Sequence, residues 1–231
     1  MRVVFVGTGA GATRGSSRVK SSVLVESGST RVLLDMGTGA NMRLEDLNLL
    51  DFQALFVTHL HVDHFNGLFD HLVQRKILGL KQLRVYSPPG LRDVLDAYRR
   101  AGNNIDAEVA EAPEFRVRLG DLEIYSIKAC HSIYALSYVI TDGRRKVIYT
   151  GDTSEPCEGI IKEAEDADLI IHEASCVKGC EVYGHTPLST LKSLFPGDRL
   201  VLTHIPSWQE EEIRAEAGKL RVAWDGMEID V

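Results

Sequence analysis

The sequence predicts an α/β or α+β sandwich of packed sheets, and three observations lead there. Short apolar, β-branched runs recur along the whole chain, most of them ending on a polar or glycine turn. Segments of helical period are interspersed between these runs without strict alternation, which argues against a uniform βαβ wheel. The 231 residues, 44% of them hydrophobic, suit one domain spanning 1–231, since a single core grows to roughly 250 residues before chains split. No repeat, low-complexity tract or linker interrupts the chain.

In chain order, strands are expected at residues 2–6, 23–26, 31–35, 54–57, 84–87, 115–118, 123–128, 136–141, 146–150, 169–172 and 199–203. Helices are expected at 67–78, 91–101, 158–165, 187–194 and 209–218. The third of these carries Ile160, Ile161 and Ala164 at a spacing that suits packing on a sheet. Strands 123–128, 136–141 and 146–150 follow closely, with Asp142-Gly143 as a turn, so this stretch reads as a hairpin.

Composition sets further bounds. A 26% charged fraction beside this apolar content excludes disorder. The net charge of −7 gives no general electrostatic footprint for nucleic acid, although a local basic path is compatible with it. No apolar run approaches the roughly 18 residues needed to cross a bilayer. The start, Met1-Arg2-Val3-Val4-Phe5-Val6-Gly7, reaches glycine too soon for a signal-peptide core, so a cytoplasmic protein is expected. Cys130, Cys157, Cys176 and Cys180 suggest no disulfide framework. Cys176 and Cys180 lack the second pair of a zinc knuckle, and all four are expected as ordinary thiols.

The chemistry concentrates in Thr58-His59-Leu60-His61-Val62-Asp63-His64, directly after an apolar strand. His59 and His61 are two apart, so an extended chain aims both the same way. Asp63 and His64 lie where the loop turns into a helix and reach a second point. One segment can therefore feed two cations, with a donor set that suits zinc, and manganese or iron nearly as well. His131, Asp152 and His204 each lie just past a strand end, where loops gather at one edge of a layered protein. Together they make five histidines and two aspartates.

This pattern, with Leu33-Leu34-Asp35-Met36-Gly37 upstream, resembles the metallo-β-lactamase superfamily. Gly7-Thr8-Gly9, Gly151-Asp152-Thr153, His172-Glu173-Ala174-Ser175 and Gly184-His185-Thr186 are similar to loops of its ribonuclease Z-like phosphodiesterase branch. The resemblance implies a four-layer αββα sandwich and two divalent metal ions. His59, His61 and His131 would hold one, Asp63, His64 and His204 the other, and Asp152 both. A hydroxide shared by the metals would then attack a phosphodiester. Asp63, Glu173 and His185 would be the catalytic groups, with His185 the proton donor oriented by Glu173. Asp35 would buttress the ligand loop, and a homodimer is the implied assembly.

The chain departs from ribonuclease Z in three places. Only 21 positions separate His131 from Asp152, where that family inserts its tRNA-gripping arm. Ile205-Pro206-Ser207-Trp208 replaces the family's Ser-x-Arg-Tyr, and position 175 is Ser where Thr is usual. A small nucleotide phosphodiester therefore fits better than tRNA 3′ processing. Ribonuclease Z-type tRNA 3′ processing, thioester or lactone hydrolysis and a non-catalytic metal-bound scaffold are the alternatives.

Several other features carry weaker readings. Gly7-Thr8-Gly9-Ala10-Gly11-Ala12 nearly spells a dinucleotide fingerprint, but no helical period follows, so a loop near the metal edge is expected. Arg14, Arg18 and Lys20 there either guide anions or are simply solvated. His71 reads as a surface residue and His172 as structural. Trp208 and Trp224 are too few to suggest a base-stacking platform.

Overall fold

The computed structural model describes residues 1–11, 17–195 and 197–231. Arg2–Gly7 (β1), Ser22–Ser27 (β2) and Thr30–Leu34 (β3) form an antiparallel meander. Ala54–Phe56 (β4), Leu83–Ser87 (β5) and Ala107–Glu111 (β6) continue it in parallel. The chain then repeats the plan. Arg116–Leu119 (β7), Leu122–Ala129 (β8), Ala135–Thr141 (β9) and Lys146–Tyr149 (β10) are antiparallel neighbours. Leu169–Glu173 (β11), Leu200–Thr203 (β12) and Arg221–Val222 (β13) extend them in parallel. Glu228–Asp230 (β14) returns to the first sheet and pairs with β1, Asp230 opposite Arg2.

Period-two alternation explains the layers. Val3 and Phe5 of β1 pack with Tyr138, Ile140, Val147 and Tyr149 of the second sheet. Val4 and Val6 face the other way, onto Ala40–Asp46 (α1), Leu68–Ile77 (α3) and Leu91–Arg100 (α4). On the second sheet, Val139, Ile148 and Ile170 face Glu158–Ala164 (α5), Leu188–Leu194 (α6) and Glu210–Ala217 (α7). Each sheet is thus covered on both faces, which is why its strands read as continuous apolar runs. The result is the expected αββα sandwich. Among the described residues, no helix is long and apolar enough to cross a membrane.

The expected strands and helices all form, with ends shifted by a residue or two. Sequence reading missed α1, β6, β13, β14 and the four-residue Val62–Phe65 (α2). All are short, and β6 and β14 are edge strands carrying acidic residues.

Two expectations are corrected. His71 is not on the surface: it is fully buried and stacks on Phe52 with centroids 5.1 Å apart. It shares the buried stripe of α3 with Leu68, Leu72 and Arg75, and burial, helped by Arg75, holds its pKa at about 3. Nor are the cysteines free thiols; they form Cys130–Cys157 and Cys176–Cys180 disulfides. The loop after β10 returns past the end of β8, where Ser154 N–H donates to Cys130 O at 2.6 Å, and this brings Cys157 to Cys130.

Candidate metal centre

The parallel strands of both sheets end at one edge, where open α/β sheets place their ligands. From β4 the chain runs through Thr58 and His59 to His61, the extended N-cap of α2, which carries Asp63 and His64. Asp152 follows β10, Glu173 closes β11 and His204 follows β12 with a left-handed φ of 56°. His131 follows β8, and His185 lies between β11 and α6. Gly151 is needed where β10 ends: its φ is +58°, and a Cβ there would lie 2.8 Å from the Thr58 side chain.

The seven predicted ligand residues converge on two points. His61 Nδ1 lies 3.1 Å from both His59 Nε2 and His131 Nε2, and Asp152 Oδ2 lies 3.6 Å from His59 Nε2 and 3.9 Å from His131 Nε2. At the second point, Asp63 Oδ2 sits 3.2 Å from His204 Nε2 and 3.8 Å from His64 Nε2. Asp152 Oδ1 faces these same nitrogens at 3.4 and 3.3 Å. One carboxylate therefore presents one oxygen to each cluster. His64 Nε2 and Asp152 Oδ1 are buried with no hydrogen-bond partner. Orphaned buried atoms of this kind, converging with further imidazole nitrogens and carboxylate oxygens, fit cation binding. His185 also lies within ligand distance of Asp152 and His204.

The remote imidazole nitrogens are tied to oxygen, which fixes each ring's tautomer and aim. His64 Nδ1 meets Asp35 Oδ2 at 2.7 Å, His59 Nδ1 meets Thr58 Oγ1 at 2.9 Å, His131 Nδ1 meets Gly184 O at 2.8 Å and His204 Nδ1 meets Ser175 Oγ at 2.9 Å. Asp35, fully buried with φ 56°, also accepts from Thr58 N–H, Thr58 Oγ1 and Tyr149 Oη. Burial lowers the pKa of His59 and His61, helped by neighbouring imidazoles, and so favours the neutral form that binds metals. Burial would raise Asp63 and Asp152, but the His204 and His64 imidazoles outweigh it and hold both carboxylates ionised.

His185 Nδ1 lies 3.1 Å from Glu173 Oε1. Burial opposes its charge, yet the hydrogen bond and charge of Glu173, with Asp152 nearby, push its pKa up to about 9. Glu173 also accepts from Ser175 N, Ser175 Oγ and Thr186 N, so it is rigidly held. A cavity of about 390 Å³ opens over His61, Asp63, Asp152, His185 and His204. The glycine loop reaches this edge as expected: Gly11 N–H donates to Asp63 Oδ2 at 2.6 Å. Arg14 lies outside the described residues. Arg18 is paired with Glu210, and Lys20 Nζ donates to Ala10 O, so neither stands as a simple solvated cation.

Sequence reading missed the supporting groups Thr58, Tyr149, Ser175 and the Gly184 carbonyl. Ser175 had a visible signal, since it closes the His-Glu-Ala-Ser loop; a backbone carbonyl leaves none.

The family model described as "Anti-Pycsar protein Apyc1" matches residues 1–224. Zinc phosphodiesterase ELAC protein 2 of Macaca fascicularis is 30% identical over 214 residues, covering 78% of this chain and 26% of that protein. The chain thus spans about a quarter of the length of the ELAC relatives it matches. Ribonuclease Z of Thermococcus onnurineus is 30% identical over 234 residues, covering 77% of this chain and 74% of that protein. The crystal structure of human tRNase Z, short form (ELAC1), is 25% identical with a TM-score of 0.83, covering 100% of this chain and 99% of that one.

Proposed function

Because the chain belongs to the Anti-Pycsar protein Apyc1 family, on the ribonuclease Z-like side of the metallo-β-lactamase superfamily, we propose that it is a two-metal phosphodiesterase. Its substrate is a phosphodiester of a nucleotide or short nucleic acid. The observation that carries this reading is Asp152, whose two oxygens each face a separate cluster of ligand atoms. His59, His61 and His131 hold one cation, Asp63, His64 and His204 the other. Zinc suits this donor set best, with manganese or iron next. Bound there, the cations supply Lewis acidity and a water whose pKa falls towards about 7.

The chain's own groups do the rest. His185 uses Nδ1 on Glu173, which leaves Nε2–H to protonate the leaving oxygen. Glu173 keeps that imidazole charged until the transfer. Asp63 counts as a catalytic group as well as a ligand, lining the cavity beside Asp152. Between His131 and Asp152 the chain forms only β9, β10 and their turn, with no arm for a large RNA, so a small substrate fits the cavity better. One metallohydrolase domain, a homodimer and a cytoplasmic location belong to the same proposal. Of these, the cytoplasmic location is the one the two disulfides weigh against, since such bonds are rare in a reducing cytosol outside hyperthermophiles.

The test is hydrolysis of bis(p-nitrophenyl) phosphate by metal-loaded protein beside p-nitrophenyl phosphate. Turnover of the diester well above the monoester is expected. Cleavage of thioesters or lactones with no diester turnover would replace this reading with the other hydrolase chemistry of the superfamily.

A further inference from the structure

Two large aromatic side chains stand at the mouth of the cavity over the metal centre. Trp208 is 69% exposed and Tyr183 74% exposed, and both line that cavity. Exposing so much apolar ring surface is unfavourable unless something covers it. Neither ring is engaged by another ring, a cation or a side-chain hydrogen bond among the described residues. Tyr134, an exposed aromatic three residues after His131, is by contrast committed: its hydroxyl donates to Pro113 O at 3.0 Å and Lys128 lies over its ring.

Both rings sit on short, anchored loops. Trp208 comes four residues after His204 and two before α7 begins. Tyr183 precedes His185 by two residues, in a 3₁₀ turn bounded by the Cys176–Cys180 disulfide and by Gly184, whose carbonyl accepts from His131. Each aromatic is therefore tied in sequence to a residue of the centre. A cavity of about 390 Å³ holds one small ligand, and its floor is where a phosphoryl group would sit.

Resting on the phosphodiesterase reading, we propose that Tyr183 and Trp208 clamp the planar base of a nucleotide while its phosphate meets the metal centre. The clamp makes the enzyme select base-bearing diesters over base-free ones. Stacking a single base contributes enough to change affinity about tenfold or more, whatever the base, because every base offers a π face.

The test reads Trp208 directly. In a Trp224→Phe background its emission is the only tryptophan signal, and metal-loaded protein is titrated with adenosine 5′-monophosphate and with ribose 5-phosphate. Saturable quenching by the nucleotide, with ribose phosphate at least tenfold weaker, is expected. Tyr183→Leu should cost the nucleotide about tenfold and leave ribose phosphate unchanged, while Tyr183→Phe should retain the nucleotide's affinity. Equal binding of the two ligands would overturn the clamp. So would an emission change that follows protein concentration and ignores nucleotide, since a second copy would then cover the rings. Binding needs no turnover, so quenching without diester hydrolysis would sink the phosphodiesterase reading and keep the clamp. Hydrolysis without discrimination would do the reverse.

Discussion

The two sheets are built on one plan, an antiparallel meander that becomes parallel, yet they supply the metal centre in different ways. The first sheet delivers four candidate ligands from one loop after β4, held from behind by the buried carboxylate of Asp35. The second delivers His131, Asp152 and His204 from separate loops, with Glu173 at the end of β11 and His185 on the connection that follows it. Those loops are tied to one another by Glu173, Ser175 and the Cys130–Cys157 disulfide, while Cys176–Cys180 closes a turn within the loop after β11. A contiguous ligand segment needs one strong anchor. A dispersed set needs many cross-links, because each loop must be placed on its own.

Breaking the single anchor should cost most. Asp35→Ala strands buried donors on Thr58, His64 and Tyr149 together, and a loss of about 4 kcal/mol is expected, as for a buried charge stripped of its partner. Denaturant midpoints with metal content measured on the same samples check this. A loss under about 1 kcal/mol would mean that the loop does not depend on Asp35.

The second sheet's anchors should fail more gently. The paired change Cys130→Ser with Cys157→Ser opens a loop of sequence separation 27, worth about 3.5 kcal/mol by loop-closure entropy. Melting wild type and variant with and without reductant separates the bond from the side chains, since reductant should lower the wild type by more than the variant, which keeps only Cys176–Cys180.

His185→Ala sharpens the comparison, because His185 is the one group here read as an acid in place of a ligand. Diester turnover should fall about a hundredfold or more with metal content unchanged. Loss of a metal ion instead would move His185 into the ligand set beside Asp152 and His204.

The smallest effect is expected where the halves meet. Arg18, ahead of β2, pairs with Glu210 at the start of α7. That hydrogen bond, against weak burial and with help from Arg214, draws the Glu210 pKa down to about 2. A carboxylate depressed in the folded state stabilises it fully above the unfolded pKa, here about 4.3. The contribution fades as pH falls through that value towards about 2. Glu210→Gln should therefore cost about 1 kcal/mol at pH 7, discounted for solvent screening, and progressively less below pH 4. A stability gap that does not narrow on acidification would show that this pair contributes nothing electrostatic.

What was legible in the sequence follows the same division. The six-residue run from His59 to His64 announced itself, and the strand-end positions of His131, Asp152 and His204 made sense once it was seen. The groups that aim these ligands were harder to see. Thr58 and Tyr149 look like ordinary strand-end residues, and their role exists only because the two sheets place them around Asp35. The disulfides were misread because pairing depends on which loops return past one another. His71 was misread although its i+1 and i+4 neighbours, Leu72 and Arg75, lie with it on the buried stripe; its polarity outweighed its position.

The central claim is that Asp152 joins two metal sites. Counting tightly bound zinc per chain in wild type and in Asp152→Ala, by elemental analysis after dialysis, tests it most directly. Two zinc ions per wild-type chain, falling to one or none in the variant, is the expected result. One ion in the wild type, or two retained without Asp152, would contradict it.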